Sequence, residues 1–522
     1  LIHSSRYKRL RELLWDRDDG MGRPVTTLLW LAKDRLKLNG WLNGVALAGL
    51  GLSATVFALG SANVPLILGM WACQRSLMAV GGPWYGYGWE PQLAELGFHT
   101  LFLVPFLSVD PLSSPPSIVA IWSIRWHLFR IMIGAGLIKL KSGDRKWNFP
   151  ELSAMDCFYE TQPVPNPLAR YFHAAPKWWH TFEVVSNHFV ELVAPWLLIL
   201  PGLSRHWRIA GGALQLAFQG VLIASGNLSF LNWLTAVPAI LCLDDACLSK
   251  FFAPLRTASA SVAAYTHLVA GAAGIPTSPV SLGVRRIVDV LFAVLVLRLS
   301  VPVARNLLSK NQVMNGSFDP FRLINTYGAF GTVSERRDEL IVQSTDDIVK
   351  GEWREYEFKV KPGDVDRRPR FISPYHYRLD WQMWIASLVG TIERSPWMYA
   401  LLLKLLRQDE EVTGLLAKDP WATSEDDDDP SGSAEGDDGA GDKGAPADVG
   451  PAANDDGGGG VKKKPRYIRV EKYRYKFNYD MVEDGEDKKR SYWKREYVGR
   501  FFPRQGVLTE DMLADFVGWR GE

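Results

Sequence analysis

Ionisable side chains stand inside apolar stretches of this chain, where they must be paired or put to use. Arg125, His127 and Arg130 fall within the apolar run 117–138. Glu191 falls within 182–203, with His188 beside it and Asn187 one helical turn before it. A charge at membrane depth costs several kcal/mol unless it pairs or faces water. Arg130 and Glu191 are therefore expected to pair across two helices, as a registry bond or as part of a site. Asn227 and Asn232 are further polar candidates at that depth. Lys139 closes the first run. A lysine there either snorkels to the interface or, desolvated, becomes available as a general base.

Ser373, His376 and Asp380 are the residue types of a hydrolytic triad. They are adjacent in the chain, at a predicted strand-to-helix join, and no G-x-S-x-G elbow occurs. Tyr375, His376, Arg378, Asp380 and Trp381 read instead as a packing and hydrogen-bonding cluster. The four cysteines, Cys73, Cys157, Cys242 and Cys247, form no C-x-x-C pair and no metal-ligand spacing. No metal or cofactor is expected, and there is no nucleotide-binding loop. The basic residues border apolar segments and do not form a groove-like patch, which gives nucleic acid no footing.

The elements that position these residues come from two kinds of sequence. Net charge is +2 and mean hydropathy −0.05 over 522 residues, but these averages hide an asymmetry. Residues 41–305 are dominated by apolar runs, and residues 306–522 are rich in charge. A bilayer span takes about 20 apolar residues. Segments at 41–60, 64–81, 93–108, 117–138, 182–203, 209–225, 229–243 and 286–305 are read as helices in lipid. Many of the 21 tryptophans flank them, as aromatic belts do: Trp41, Trp71, Trp84, Trp178, Trp179 and Trp207. The fold class expected is a multi-pass α-helical membrane bundle followed by a C-terminal α+β, β-rich domain.

Basic turns set the sidedness. Arg205, Arg208 and the loop 244–285, with Lys250, Arg256, Arg285 and Arg286, belong on the cytosolic side. Counting spans from there makes the loop 139–181 and all residues after 305 luminal. Lys139, Lys141, Arg145, Lys146, Arg170 and Lys177 pull against that count. Residues 1–40 become a luminal segment, and the count expects a further span before Leu1. Asn315-Gly316-Ser317 is then a glycosylation acceptor, while Asn227-Leu228-Ser229 lies too near the membrane.

In the second half, alternation predicts strands at Glu339–Gln343, Trp353–Lys359, Tyr467–Phe477 and Tyr492–Val498, and helices at Leu379–Ile392 and Trp397–Leu406. Residues 306–423 and 465–522 are read as one module interrupted by an acidic, Gly-rich insert at 424–464. The insert's composition predicts a solvated linker, and its aspartates are at most a weak Ca²⁺ site. Pro163, Pro165 and Pro167 make Tyr159–Pro167 a rigid extended segment. Its Tyr159, Glu160, Gln162, Pro163, Asn166 and Pro167 are candidates for contact with a client's edge strand, or else form a spacer.

Long motifs carry a resemblance. They are Phe129–Lys139 (FRIMIGAGLIK), Tyr159–Pro167 (YETQPVPNP), Ser186–Leu192 (SNHFVEL), Ser225–Thr235 (SGNLSFLNWLT), Asn325–Gly331 (NTYGAFG), Arg367–Pro369, Ile372–Trp381 (ISPYHYRLDW) and Tyr473–Phe477 (YRYKF). In this order they resemble the lipase maturation factor family. The resemblance implies a multi-pass protein of the endoplasmic reticulum membrane that assists secreted lipases in folding and assembly. It implies lipase clients in the lumen, other reticulum chaperones as possible partners, and no enzymatic activity of its own. A cysteine pair expected of animal members near Val360 and Arg370 is absent, and the acidic insert departs from them too. A shorter likeness, Gly136–Leu140 followed by Trp147, is similar to vitamin K-dependent γ-carboxylases. On that alternative the chain is a membrane enzyme with Lys139 as base. Intramembrane Arg, His and Glu would also suit a transporter, but no internal repeat supports one.

Overall fold

The computed structural model describes residues 27–31, 38–110, 116–248, 250, 279–422, 464–480 and 491–518. The predicted linker 424–464 lies outside them except for Lys464, as do most of the 1–40 segment and of the 244–285 connection.

The first half is helical. Its elements are α1 (Leu38–Leu59), α2 (Val64–Val80), α3 (Trp89–Thr100), α4 (Ile118–Lys141), α5 (Met155–Thr161), α6 (Ala169–His173), α7 (Lys177–His188), α8 (Trp196–Ile199), α9 (Arg205–Ser225), α10 (Leu231–Ile240) and α11 (Pro279–Leu308). Among the described residues, four stretches are long and apolar enough to cross a membrane: Asn39–Leu59, Ile118–Lys141, Lys177–Ile199 and Gly283–Leu308. Local signals start the helices where the chain allows. Asn63 caps α2 by accepting from the Leu66 amide at 3.1 Å, and Ser117 caps α4 through the Ala120 amide.

Of the other predicted spans, 64–81, 209–225 and 229–243 are the helices α2, α9 and α10, which fall outside these four, and two further segments differ in form. The segment 93–108 is a 12-residue helix that starts earlier, at Trp89, and ends at Thr100. Pro91 fits its first turn, and Glu90, Gln92, Glu95 and His99 give it a buried polar side. The segment 182–203 is one path made of three pieces. A π-helical turn at Phe189–Val193 joins α7 to the short α8.

The second half holds a four-stranded antiparallel sheet in the order β2-β1-β5-β6. Its strands are β1 (Arg337–Thr345), β2 (Arg354–Glu355), β5 (Tyr467–Phe477) and β6 (Trp493–Phe502). A small second pair joins β3 (Glu357–Phe358) to β4 (Leu416–Lys418). β1 pairs with β5 along its whole length, Arg337 opposite Tyr475 and Thr345 opposite Tyr467. The two sides of the insert therefore build one sheet, as the alternation predicted. The strand predicted at Trp353–Lys359 is split. Buried Tyr356 donates its amide to the Val342 carbonyl, and past it the chain leaves β1 to pair with β4.

Period-two alternation gives β1 two occupied faces. Leu340 and Val342 pack with Met383, Leu402, Val470 and others beneath α12 (Arg378–Val389) and α13 (Trp397–Leu406). Ile341 faces the other way, into a cluster with Ala169, Tyr475, Phe477 and Trp493. The halves share core. Trp84 lies in the first of these clusters, and Trp381 packs with Tyr87, Trp89, Ile124, Val164 and Leu228 of the helical half.

Candidate functional site: a polar seam between bundle and sheet

Every motif singled out in the sequence contributes to a buried polar zone that runs from the bundle interior to the sheet. Its deepest node is centred on Glu95 of α3. Glu95 accepts hydrogen bonds from Arg130 of α4, the Asn325 amide (2.8 Å), the Asn325 side chain (2.9 Å) and the Tyr327 hydroxyl (2.7 Å). His127 Nδ1 lies 3.0 Å away, and Arg130 also donates to the Asn325 carbonyl at 2.6 Å. All of these carboxylate and guanidinium atoms are out of solvent. Gly134 is needed here, because a Cβ would sit 2.3 Å from the Tyr327 carbonyl oxygen.

The expected Arg130–Glu191 pair is not formed. Glu191 binds Lys139 instead, at 2.5 and 2.7 Å, with Asn187 donating to the same carboxylate at 2.9 Å. The Lys139 ammonium also lies 4.8 Å from the Trp147 ring centre. The π-helical turn carries Glu191, and the side chains flanking it are bound as well: His188 Nε2 is 2.8 Å from the Trp147 carbonyl. Lys139 is thus fully committed. It neither snorkels nor stands free as a base.

The third node is the Pro-rich strap. Residues 155–161 are helical, because proline restricts only its own position and the one before it, and the first proline is Pro163. Extended backbone begins at Gln162. The strap is internal. Tyr159, Glu160, Gln162, Pro163 and Asn166 are buried and Pro167 is half-buried, so they offer a client no free surface. Their polar groups are used within the chain. Tyr159 donates to Glu183 (2.9 Å), Gln162 to the Ser225 carbonyl (3.1 Å) and Asn166 to the Ala224 carbonyl (2.9 Å). Arg337 of β1 donates to the carbonyls of Glu160 (2.9 Å), Gln162 (2.5 Å) and Pro163 (3.0 Å), and its charge is met by Glu339 at 2.6 Å. Glu160 accepts from the Phe477 amide at 2.9 Å. Burial nevertheless holds the Glu160 carboxyl above the usual range.

Asn227 closes the seam from the α9–α10 turn. Its amide donates to the Arg370 carbonyl at 2.8 Å, and its oxygen accepts from the Ile372 amide at 3.1 Å. The fully buried Asn227 sequon is thereby occupied on both sides. Asn232 is buried on α10. Asn315 is exposed as a residue, and its amide donates to the Gly328 carbonyl at 3.1 Å.

The Ser373–Asp380 cluster is architectural. Ser373 Oγ donates to the Ser229 carbonyl, and Asp380 accepts the Val360 and Lys361 amides at 2.7 and 2.9 Å. Burial raises the Asp380 carboxyl despite those bonds. Arg378 reaches back to Glu90 at 2.7 Å and to the Trp84 carbonyl. His376 sits among the rings of Tyr87, Trp89 and Trp381, with no hydrogen-bond partner on either nitrogen among the described residues. Burial, helped by Arg378, pushes it down to about 3. Ser373, His376 and Asp380 thus make no relay.

Glu95, Arg337 and Glu339 were missed by sequence reasoning. Glu95 was hidden in a run read as apolar. For Arg337 and Glu339, only their inward register on β1 distinguishes them from surface charge.

Comparison with known proteins gives the following likenesses. Residues 9–250 match the lipase maturation factor transmembrane domain and residues 323–428 the lipase maturation factor C-terminal domain. The chain is 43% identical to lipase maturation factor 1 of Mus musculus, over 91% of this chain and 76% of that protein. It is also 43% identical to lipase maturation factor 1 of Homo sapiens, over 92% and 77%. Lipase maturation factor 2 of Xenopus laevis is 26% identical over 89% and 72%. No solved structure matches the chain.

Proposed function

The chain belongs to the lipase maturation factor family, and from that premise we propose that it assists the folding and assembly of secretory lipases from the endoplasmic reticulum membrane. The observation that carries this reading is the 43% identity spread over 91% of the chain, which takes in both halves and the seam between them.

The course of α9 supports one sidedness. Its first turn carries Arg205 and Arg208, which face Asp244 at 3.2 and 3.5 Å. Its last residues touch the strap through Ser225 and Ala224. Twenty-one helical residues, roughly 30 Å, separate these ends. The loop 139–181 and the sheet domain therefore share one end of the bundle, and the basic turn has the other. With the basic turn cytosolic, the sheet domain is luminal, where secretory lipases fold. Of the cations that oppose this topology, two are neutralised by carboxylates and two more are held by backbone carbonyls. Lys139 binds Glu191, Lys141 donates to the Leu307 and Ser309 carbonyls, Lys146 faces Asp144, and Arg170 donates to the Asn478 carbonyl. Asn315 is the glycosylation acceptor in this topology. Client contact falls to the exposed surface of the sheet domain, since the strap is buried.

A carboxylase-like reaction with Lys139 as base is disfavoured by the Glu191 ion pair, and we infer a non-enzymatic factor. The test is lipase activity per mass of lipase in cells lacking this protein. Low specific activity at normal synthesis, restored by the wild type and by Lys139→Met/Glu191→Leu, is the expected result. Unchanged specific activity across the secretory lipases would sink the proposal.

A further inference from the structure

We propose that the segment 368–377 is a membrane-surface anchor that seats the sheet domain on the bilayer, with Phe371 and Tyr375 in the headgroup region and Arg368 and Arg370 on lipid phosphates. The starting observation is the outer side of α10. Trp233, Val237 and Ile240 are exposed there at 48%, 48% and 45%. Their spacing of four and three residues makes one helical stripe. An apolar stripe exposed on a bundle that spans the membrane faces acyl chains.

Trp233 heads that stripe, and its indole nitrogen donates to Ser373 Oγ at 3.0 Å. Ser373 is bonded in turn to the Ser229 carbonyl, and Asn227 holds the Arg370 carbonyl and the Ile372 amide. The segment is therefore fixed to the end of a lipid-facing helix, and the lipid boundary continues directly onto it. What it presents there is chemically suited to a headgroup layer. Phe371 is 54% exposed and Tyr375 63%. Tyr375 also packs edge-on against Tyr377, with ring centres 4.7 Å apart. Arg368 and Arg370 are exposed, and neither guanidinium has a hydrogen-bond or ion-pair partner among the described residues. Amphipathic rings beside unpaired guanidinium groups match an interface with an apolar layer under a phosphate layer. By contrast, most cations on the sheet itself are taken: Lys472 and Arg474 by Asp338, Arg495 by Glu355, and Arg500 by Glu471.

The test uses the full chain in lipid nanodiscs. Single reporter cysteines, Phe371→Cys, Tyr375→Cys and Val349→Cys, are introduced with Cys157→Ser and Cys247→Ser and labelled with a small fluorophore. Val349 is the control, because it is exposed just beyond the end of β1 opposite Arg337. Lipids spin-labelled near the headgroup should quench positions 371 and 375 at least about twofold more than 349. In discs containing anionic lipid, Arg368→Gln/Arg370→Gln should lower quenching at 375 to its level in purely zwitterionic discs. Quenching of 371 and 375 by aqueous iodide, with no lipid quenching, would overturn the anchor. So would labels that become shielded only when purified lipase is added, which would assign the patch to the client. An arginine variant indistinguishable from wild type would overturn the phosphate contact.

Discussion

Glu95 and Glu191 both neutralise a cation inside the same bundle, but they are built differently. Glu191 has a simple environment: one lysine, itself over the face of Trp147, and one asparagine, all within residues 139–191. Glu95 gathers donors from α4 and from the Asn325–Tyr327 stretch, more than two hundred residues downstream. The first is a local lock between α4 and the π-helical turn. The second is a cross-brace that fixes where the chain goes after α11. A buried ion pair with one further side-chain partner, as Asn187 is here, can be exchanged for apolar side chains at the cost of that one partner. A buried acceptor shared by several backbone and side-chain donors cannot.

The largest effect should come from Glu95. Glu95→Leu leaves Arg130, the Asn325 amide and the Tyr327 hydroxyl without their acceptor. A loss of at least about 3–5 kcal/mol is expected, enough to abolish monodisperse protein in detergent. Glu95→Leu/Arg130→Met should not recover it, because Asn325 and Tyr327 remain unsatisfied. Recovery to wild-type Tm would break the comparison.

Glu191→Leu alone should also lose about 3 kcal/mol, with Lys139 stranded. Here the double change Lys139→Met/Glu191→Leu should restore most of the Tm. If the double variant is no better than the single one, the stranded Asn187 side chain costs as much as the donors around Glu95 do, and the two sites are alike.

Arg337 tests whether the sheet end of the seam behaves like Glu95. Arg337→Met strips three strap carbonyls of their donor and leaves Glu339 to Lys361 alone. We expect a cost of about 2–3 kcal/mol, read as faster protease cleavage between residues 308 and 337. Unchanged cleavage kinetics would mean that shared apolar core alone docks the sheet.

The smallest effect belongs to His376. Its folded pKa is depressed to about 3, so the unfolded chain takes up a proton first as pH falls below the ordinary histidine range of about 6.5. Stability from this group is intact above that range and declines as pH drops toward 3, by about 1 kcal/mol per pH unit. His376→Phe should flatten the Tm difference between pH 7 and pH 5.5. An identical pH slope in the variant would argue that the imidazole is not dry.

Much of this was legible in the chain. Strands β1 and β5 were placed within two residues, because alternation with β-branched and aromatic residues is a strong local signal. The apolar stretches around α1, α4, α7 and α11 gave the spans by length. Arg130 and Glu191 were legible as groups needing partners, and each has one, whereas Lys139, read as snorkelling or free, is paired. What failed was pairing and accessibility. Arg130 took Glu95 over Glu191, a choice made by helix packing that no periodicity encodes. The strap looked exposed because proline spacing predicts backbone shape but not what covers it. Its cover is β1 and β5, whose pairing is a long-range event.

That pairing has a consequence in time. Asp338 on β1 and Arg474 on β5 meet across 136 positions. At synthesis rates of about 5–20 residues per second, β1 waits on the order of ten seconds for its neighbour. The helical half is complete by then, and the strap's carbonyls are in place to receive Arg337. Throughout that interval β1 has an open ladder edge, available to any nascent strand close by. The protein is itself a late finisher: β5 covers the waiting edge of β1 only near the end of synthesis, and β6, the last strand to leave the ribosome, then adds to β5 as the new edge.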